Sequence, residues 1–404
     1  LTMNPNIESL YQLAKKPTRT IVGLMSGTSL DGLDVVLCEI SGAAKKTIVA
    51  IKEFETIPYS EEVKTEIRKV FAKKTIDFQH LALLNEWIGI LHANLVLDCL
   101  KKWNIDASEV DLIASHGQTV MHLPKILHQL SQFPNATLQI GDGDHIAVHS
   151  GIITISDFRQ KHVAAGGEGA PLAVYGDYFI FGSTEENRIM LNLGGIGNFT
   201  FLPKDQNPEQ VFVTDTGTGN TLIDAFVQLH FPELSYDDDA QIARKGKVNQ
   251  ALLFALKENS FFTEPFPKTT GPELFNLDYV HKAMLQSKTQ QIKIEDVVAT
   301  LTRFSAETAA DAILDAVRQS ESKNDDYVIY VSGGGAHNPL LMEYLRELVP
   351  YSFKNTNELG ISGDAKEALL FAVLANETVA GSPTHFGSKK GIPSITMGKI
   401  SFPN

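Results

Sequence analysis

The run TIVGLMSGTSLDGLDVVLCEI, residues 20–40, constrains the fold more than any other stretch of the chain. Two apolar segments of strand character flank a turn made of glycines and hydroxyl side chains. Glycine carries no Cβ penalty at positive φ and lets a ligand approach the backbone, so such a turn can aim several N–H groups at one cluster of anionic oxygens. The same residues also suit a tight hairpin with solvating aspartates, Asp31 and Asp34. The pattern returns at Arg188, where RIMLNLGGIGNFTFLP again reads strand, glycine turn, strand. After each opening, strand and helix signals alternate, which predicts two related α/β halves. A barrel would need eight short βα units of similar length. A dinucleotide fingerprint would open a helix after its first glycine turn, and here a second strand follows; GxxxxGK[ST] is absent.

The chain has 404 residues, more than a single core of roughly 250–300 usually holds, so two domains are expected. Its 43% hydrophobic and 21% charged residues are those of an ordinary globular protein. A formal net charge of −13 argues against a nucleic-acid surface while leaving room for a phosphate ligand held by backbone amides and a cation. Cys38 and Cys99 are the only cysteines, too few for a disulfide framework or a thiolate zinc site. No secretory segment and no run of about 20 apolar residues able to span a bilayer is read, so the expectation is a cytoplasmic protein without a membrane partner.

Taken in order, residues 1–18 predict a short helix or arm. Residues 20–58 predict consecutive strands, and helices follow over 61–74 and 78–103. The second helix carries Leu84, Trp87, Ile88, Leu91 and Leu95 in one stripe, which makes the tryptophan a core residue. DLIASHGQTV is a strand ending in a polar turn, and GIITIS runs into Asp157, Phe158 and Arg159. The Asp–Arg pair either clamps sugar hydroxyls or is an ordinary ion pair. VFVTD ends in Asp215 before a glycine turn and a helix from about Asn220; residues 232–275 read as a peripheral polar excursion of loops. A helix spans 295–320, YVIYVSGGG is strand and turn, and GDAKEA opens a last helix carrying Glu367. In the glycine- and serine-rich tail only ITMGKI reads as a strand.

Four glycine turns in a two-domain α/β chain point to a nucleotide held between lobes. Phosphoryl transfer then needs charge neutralisation, alignment and a group to take the acceptor's proton. Basic residues near the turns are few, which favours Mg²⁺ held through carboxylates and phosphate oxygens. Asp215 is the candidate general base, with a turn or capping aspartate as the plain alternative. Asp224 reads as structural. Glu367 either orients metal-bound water or complements a helix dipole.

These motifs together resemble the anhydro-N-acetylmuramic acid kinase family, within the superfamily of sugar kinases, heat-shock proteins and actin, and the related levoglucosan kinases. The matching pieces are MSGTSLDGLD at 25–34, ASHGQT at 114–119, SDFRQKHVAAGGEGAPL at 156–172, NLGGIGN at 192–198, TDTGTGNTLID at 214–224, GGGAHNP at 333–339 and GDAKEA at 363–368. The resemblance implies a two-lobed, actin-like (ribonuclease H-like) α/β fold with a nucleotide cleft between lobes. Residues 1–155, completed by 370–404, would form one lobe and 156–369 the other. It implies ATP and Mg²⁺ as cofactors, an anhydrosugar substrate and a homodimer. Carried onto this sequence, the first phosphate turn comprises Gly23, Ser26, Gly27, Thr28, Ser29, Asp31 and Gly32, and the second Gly194, Gly195 and Asn198. Gly217, Gly219 and Asn220 follow, and Gly333, Gly334, Gly335 and Asn338 form the adenosine-side turn. Asp215 would be the catalytic base, with Glu367 and Asp215 placing the metal. His116, Gln118, Thr119, Asp157 and Arg159 would approach the sugar.

The implied reaction is hydrolytic opening of 1,6-anhydro-N-acetylmuramic acid coupled to phosphorylation of O6. Three positions depart from the family pattern: Thr218 replaces a proline, Glu168 a glutamine and Gly197 an alanine. None removes Asp215, so reaction class is better defined than the sugar. The competing readings are a levoglucosan-type kinase, an actin-like or chaperone-like ATPase without a sugar, and a plain glycoside hydrolase, which leaves the glycine turns unexplained.

Overall fold

The computed structural model describes residues 3–323, 325–387 and 392–404. The chain divides into two compact units, one of residues 1–181 with 364–404, the other of residues 182–363. The boundaries expected at 155 and 369 are therefore displaced. Thr154–Ser156 pairs in parallel with Leu112–Leu123 of the first sheet, and the helix Ala173–Phe181 packs on the helix Lys366–Ala380, which holds both segments in the first unit.

The first unit is built on β1 (Thr18–Ser26), β2 (Gly32–Ser41), β3 (Ile48–Pro58), β4 (Leu112–Leu123), β5 (Ala136–Ile140) and β6 (Thr154–Ser156). Its sheet runs β3-β2-β1-β4-β6, with a last strand, Lys399–Ser401, antiparallel on β6 and β5 branching from β4. The pairs β1/β2 and β2/β3 are antiparallel, whereas β1/β4 and β4/β6 are parallel. β1 is covered on both faces, which explains its near-continuous apolar run.

The helix Phe78–Lys102 covers one face with Leu84, Ile88, Val96 and Leu100 against Val22, Leu24, Leu33 and Val35. It starts where Asp77 accepts from the N–H groups of Gln79 and His80. At 25 residues it is long and apolar enough to cross a membrane, contrary to the sequence expectation, but its buried side belongs to this core. Trp87 departs from expectation too: it sits at the margin of the stripe, 37% exposed. The opposite face is covered by the helix Lys366–Ala380, buried almost throughout from Ala368 to Glu377. It comes so close that a Cβ on Gly23 would lie 2.2 Å from the Ala368 carbonyl oxygen. The glycine is therefore a packing requirement of β1, and it seats the first turn of that helix on the sheet.

The second unit repeats the plan with β7 (Asn187–Leu193), β8 (Ile196–Leu202), β9 (Phe212–Thr218), β10 (Tyr327–Ser332) and β11 (Ser352–Asn355). The order is β9-β8-β7-β10-β11, with the first three strands antiparallel and the last two added in parallel. This is the order of the first sheet, so the weak repeat in the sequence is a full repeat in topology. Each unit is thus built on one mixed α/β strand plan. The helix Ile294–Gln319 covers this sheet through residues such as Ala306, Ala309 and Ile313.

Residues 232–275 are not merely loops. They include the helix Gln250–Lys257, and Leu252, Leu256, Phe261 and Phe275 are buried in a second apolar cluster. The expected arm at 1–18 is the helix Pro5–Lys15, residues 1 and 2 lying outside the described residues. In the tail, residues 388–391 lie outside them too, and the strand falls at Lys399–Ser401, overlapping only the end of ITMGKI.

Candidate active site

In the first unit the candidate residues gather where β1 ends beside the middle of β4, which runs on through His116–Thr119 to Leu123 rather than ending there as expected. The turn from Gly27 to Asp31 joins β1 to β2, with Thr28 and Ser29 exposed. Asp31 braces it by accepting from Ser29 Oγ at 2.7 Å and from the Gly32 N–H at 3.1 Å. Among the described residues the N–H groups of Gly27, Thr28 and Ser29 make no hydrogen bond, so the turn keeps its donors for an anion. Gly23 and Gly32 are different. Both lie in strands against neighbouring backbone and belong to the support of the turn rather than to its face.

Two residues expected at the sugar turn out to be internal. Gln118 is fully buried: its Oε1 accepts from Ser26 Oγ at 2.6 Å, and its Nε2 donates to the carbonyls of Gly27 and Thr119, each at 3.1 Å. It ties the middle of β4 to the first turn. Ser26 also accepts from the Tyr59 hydroxyl at 2.9 Å, and that hydroxyl lies 2.8 Å from His92 Nε2. Burial pushes the His92 pKa down to about 4. His116 is 2% exposed, and burial followed by the Arg159 charge holds it well below its usual pKa. Neutral, it accepts from Arg159 Nε at 2.8 Å on Nε2.

Arg159 is also fixed by donating Nη1 to the Gly169 carbonyl at 2.6 Å. Burial lowers its pKa to about 10, and Glu367 acts against that. Asp157 does not join it. The aspartate, in a left-handed conformation, pairs with Lys399 at 2.5 Å, so among the described residues the two do not form the ordinary Asp–Arg ion pair. Thr119 stays partly exposed and accepts from Gln139 Nε2 at 3.1 Å. Glu168 is exposed; the His122 pKa is lowered by burial and then by the Arg159 charge, and Glu168 only opposes this.

Glu367 opens the helix Lys366–Ala380, whose Lys366 pairs with Asp177 at 2.8 Å. Burial raises the Glu367 pKa and Asp34 raises it further, while Arg159 lowers it. Asp34 is raised mainly by burial and then by Asp31 and Asp364, against a hydrogen bond from Thr56. Carboxylates that resist ionising together are relieved by a divalent cation. Yet among the described residues no group of three or more His, Cys, Asp or Glu is arranged as a ready metal cage.

In the second unit three glycine turns converge on the end of β7. The carbonyls of Gly194 and Gly195 accept from the N–H groups of Gly219, Asn220 and Thr221, at 2.8, 2.8 and 3.1 Å. Those donors, which would otherwise be free at the start of the helix Thr221–His230, are thus consumed. The amides of Gly219 and Asn220 are therefore spent within the protein. The N–H groups of Gly194 and Gly195 make no hydrogen bond among the described residues. Gly333 to Gly335 pack on Leu193 and Asn220, and Asn338 caps the helix Pro339–Leu348 by accepting from the Leu341 N–H at 3.0 Å.

Asp215 is not at the end of its strand, as the sequence suggested. β9 continues to Thr218, and Asn198 faces Asp215 across a bulge at Thr216–Gly217, where Gly217 has φ +128°. A bulge of this kind re-aims a side chain within a paired strand. The Asp215 N–H donates to the Lys268 carbonyl at 2.9 Å, and its Oδ2 accepts from the Thr270 N–H at 2.8 Å. Its Oδ1 carries no hydrogen bond among the described residues. Burial raises its pKa to about 6, against the Thr270 bond and with Glu273 adding to the rise. A half-buried carboxylate with one anchored and one open oxygen is suited to accept a proton near neutral pH. Asp224 is raised to about 6 by burial alone.

Sequence reasoning missed the Lys268–Thr270 segment, Tyr59, His92 and Lys399. Only the Pro–Gly punctuation of FPKTTGPELF hinted at an ordered turn in the first of these.

The family profile described as anhydro-N-acetylmuramic acid kinase matches residues 19–403. A relative of that name from Pseudoalteromonas atlantica is 56% identical, covering 100% of both chains. Another from Caldanaerobacter subterraneus is 38% identical over 98% of this chain and 100% of its own. Among solved structures, an activator of 2-hydroxyisocaproyl-CoA dehydratase from Clostridium difficile aligns at 12% identity and a TM-score of 0.40, over 89% of this chain and 95% of that one.

Proposed function

The chain belongs to the anhydro-N-acetylmuramic acid kinase family, and from that premise we propose how its own residues open the 1,6-anhydro sugar and phosphorylate it. Asp215 takes a proton from water as the water oxygen attacks C1. The C1–O6 bond breaks with its electron pair on O6. O6 attacks the γ-phosphorus of ATP, the bond to the β-γ bridging oxygen breaks, and ADP leaves with N-acetylmuramate 6-phosphate as the second product. One base serves both halves because the two displacements share the oxygen that is released and then phosphorylated.

The observation that carries this reading is the Asp215 carboxylate, anchored through Oδ2, open at Oδ1 and shifted to a pKa of about 6. The unbonded amides of Gly27–Ser29 and Gly194–Gly195 are the groups assigned to phosphate oxygens. Arg159, held by His116 and Gly169, is assigned with Thr119 to the sugar, while Gln118 supports the first turn from behind. Glu367 and Asp215 are the residues assigned to Mg²⁺, which when bound supplies charge neutralisation at the transferring phosphate. A homodimer, a cytoplasmic setting and a place in cell-wall recycling complete the proposal on the strength of family membership. No observation favours an anhydroglucose substrate, a sugar-independent ATPase or a plain hydrolase.

Turnover in ¹⁸O-labelled water is the test. The new oxygen on C1 is expected to carry the label, with phosphate on O6. A phosphorylated product whose anhydro ring is still closed would overturn the mechanism.

A further inference from the structure

We propose that Lys268 is a positioning residue for the reaction, holding the Asp215 carboxylate in place through the loop that its side chain closes. The inference rests on Asp215 being the base and adds the device that aims it.

Lys268 is 8% exposed, so its ammonium is inside the second unit. Its Nζ donates to the carbonyls of Phe261, at 2.8 Å, and Phe262, at 3.3 Å. The same nitrogen lies 4.6 Å from the centre of the Phe261 ring and 5.5 Å from that of Phe266, over their faces. Burial lowers its pKa, and Glu264 and Asp315 act on it only as charges that oppose this. A buried ammonium without a hydrogen-bonded carboxylate is a costly way to staple a loop, and apolar packing would do that more cheaply. What the ammonium adds is direction. It draws two carbonyls from one end of the segment 261–268 onto the residue at the other end.

That residue is the one that grips the base. The Lys268 N–H donates to Thr214 Oγ1 at 3.1 Å, and the Lys268 carbonyl accepts from the Asp215 N–H at 2.9 Å and from Thr214 Oγ1 at 3.3 Å. Two residues further on, the Thr270 N–H holds Asp215 Oδ2 at 2.8 Å. β9 is the edge strand of its sheet, so nothing else in the sheet pairs with this side of Asp215. Its neighbour Gly217 lies in a bulge and cannot stiffen the strand. The loop closed by Lys268 therefore acts as the missing strand, and it fixes both the main chain and one carboxylate oxygen of Asp215.

The test compares Lys268→Met, Lys268→Arg, Thr214→Val and Asp215→Asn in the full chain, measuring kcat and both KM values. Lys268→Met keeps the volume and loses the donors. Its kcat is expected to fall about 10- to 100-fold, the scale of a base displaced by about 1 Å, with KM for ATP and for the anhydrosugar within about threefold of the parent. Lys268→Arg keeps donors for the two carbonyls and is expected to recover kcat to within about fivefold. A staple that merely supports folding would lower the amount of active protein and leave the kcat of the folded fraction alone. A folded Lys268→Met with parental kcat, or with raised KM and unchanged kcat, overturns the proposal. If Lys268→Met does not fold, Thr214→Val decides: it removes the hydroxyl that clasps Lys268, and an unchanged kcat overturns the proposal while a severalfold loss supports it. Asp215→Asn separates this from the premise, since near-parental turnover there defeats the base assignment and the positioning role together.

Discussion

At the scale of single residues the proposed chemistry turns on a carboxyl group that burial holds above its usual range. Asp215→Asn should fold and bind nucleotide yet lose about 10²- to 10⁴-fold in kcat, read as sugar-dependent ADP release. In the parent the acidic limb of the kcat profile should lie near pH 6, because protonated Asp215 cannot accept a proton. The same shift fixes the sign of a stability effect. A folded-state pKa of about 6 above an ordinary 3.8 means that native protein binds more protons than unfolded chain in that window, so stability is lost as pH rises through it. Asp215→Asn should therefore melt with the parent near pH 4 and above it beyond pH 6, by on the order of 1–3 kcal/mol. Equal melting temperatures at both pH values would contradict the shift.

The strand before Asp215 and the glycine turn after it were legible because both are local patterns; the continuation of β9 to Thr218 and the bulge beside Asp215 were not. The surroundings of Gln118 and Asp157 were not legible because their partners, Ser26 and Lys399, are far away in sequence. No spacing rule shows which long-range partner will consume a side chain.

At the scale of elements the apolar periodicity located most helices and strands, and the structure adds the caps that set their starts. Asp77→Ala should cost about 1 kcal/mol by removing the cap of the helix Phe78–Lys102, with kcat unchanged, measured by denaturant unfolding and steady-state assay. Residues 232–275 escaped the reading because their buried residues are spread over short turns, with no sustained period to detect. The contact between β1 and the helix Lys366–Ala380 also left no local trace beyond a single glycine. Gly23→Ala places a methyl 2.2 Å from the Ala368 carbonyl oxygen. It should destabilise by about 2 kcal/mol or more and lower kcat, since the helix start that carries Glu367 must shift. A fully active, equally stable Gly23→Ala would show that this close approach is not needed.

At the scale of the whole molecule the repeat is what the sequence half revealed. Pattern recurred at residues 20–40 and 188–203, but side-chain identity had drifted, and only strand order shows both sheets to be one plan. The boundary was missed because parallel pairing of β6 with β4 leaves no mark in the intervening sequence. Residues 182–363 hold a complete sheet and two apolar clusters, which is domain-sized. Expressed alone, that segment should unfold cooperatively by calorimetry. Residues 1–181 alone should not, lacking the helix that covers one face of their sheet; a sharp melt of that fragment would refute the dependence.

The helix Lys366–Ala380 is the last helix of the described chain, although it covers β1, the first of its strands. On the ribosome the first sheet must wait, one apolar face uncovered, while the entire second unit is translated and has time to close. A nascent chain stalled before residue 366 would thus present a finished unit tethered to a half-built one, an obvious client for a holding chaperone.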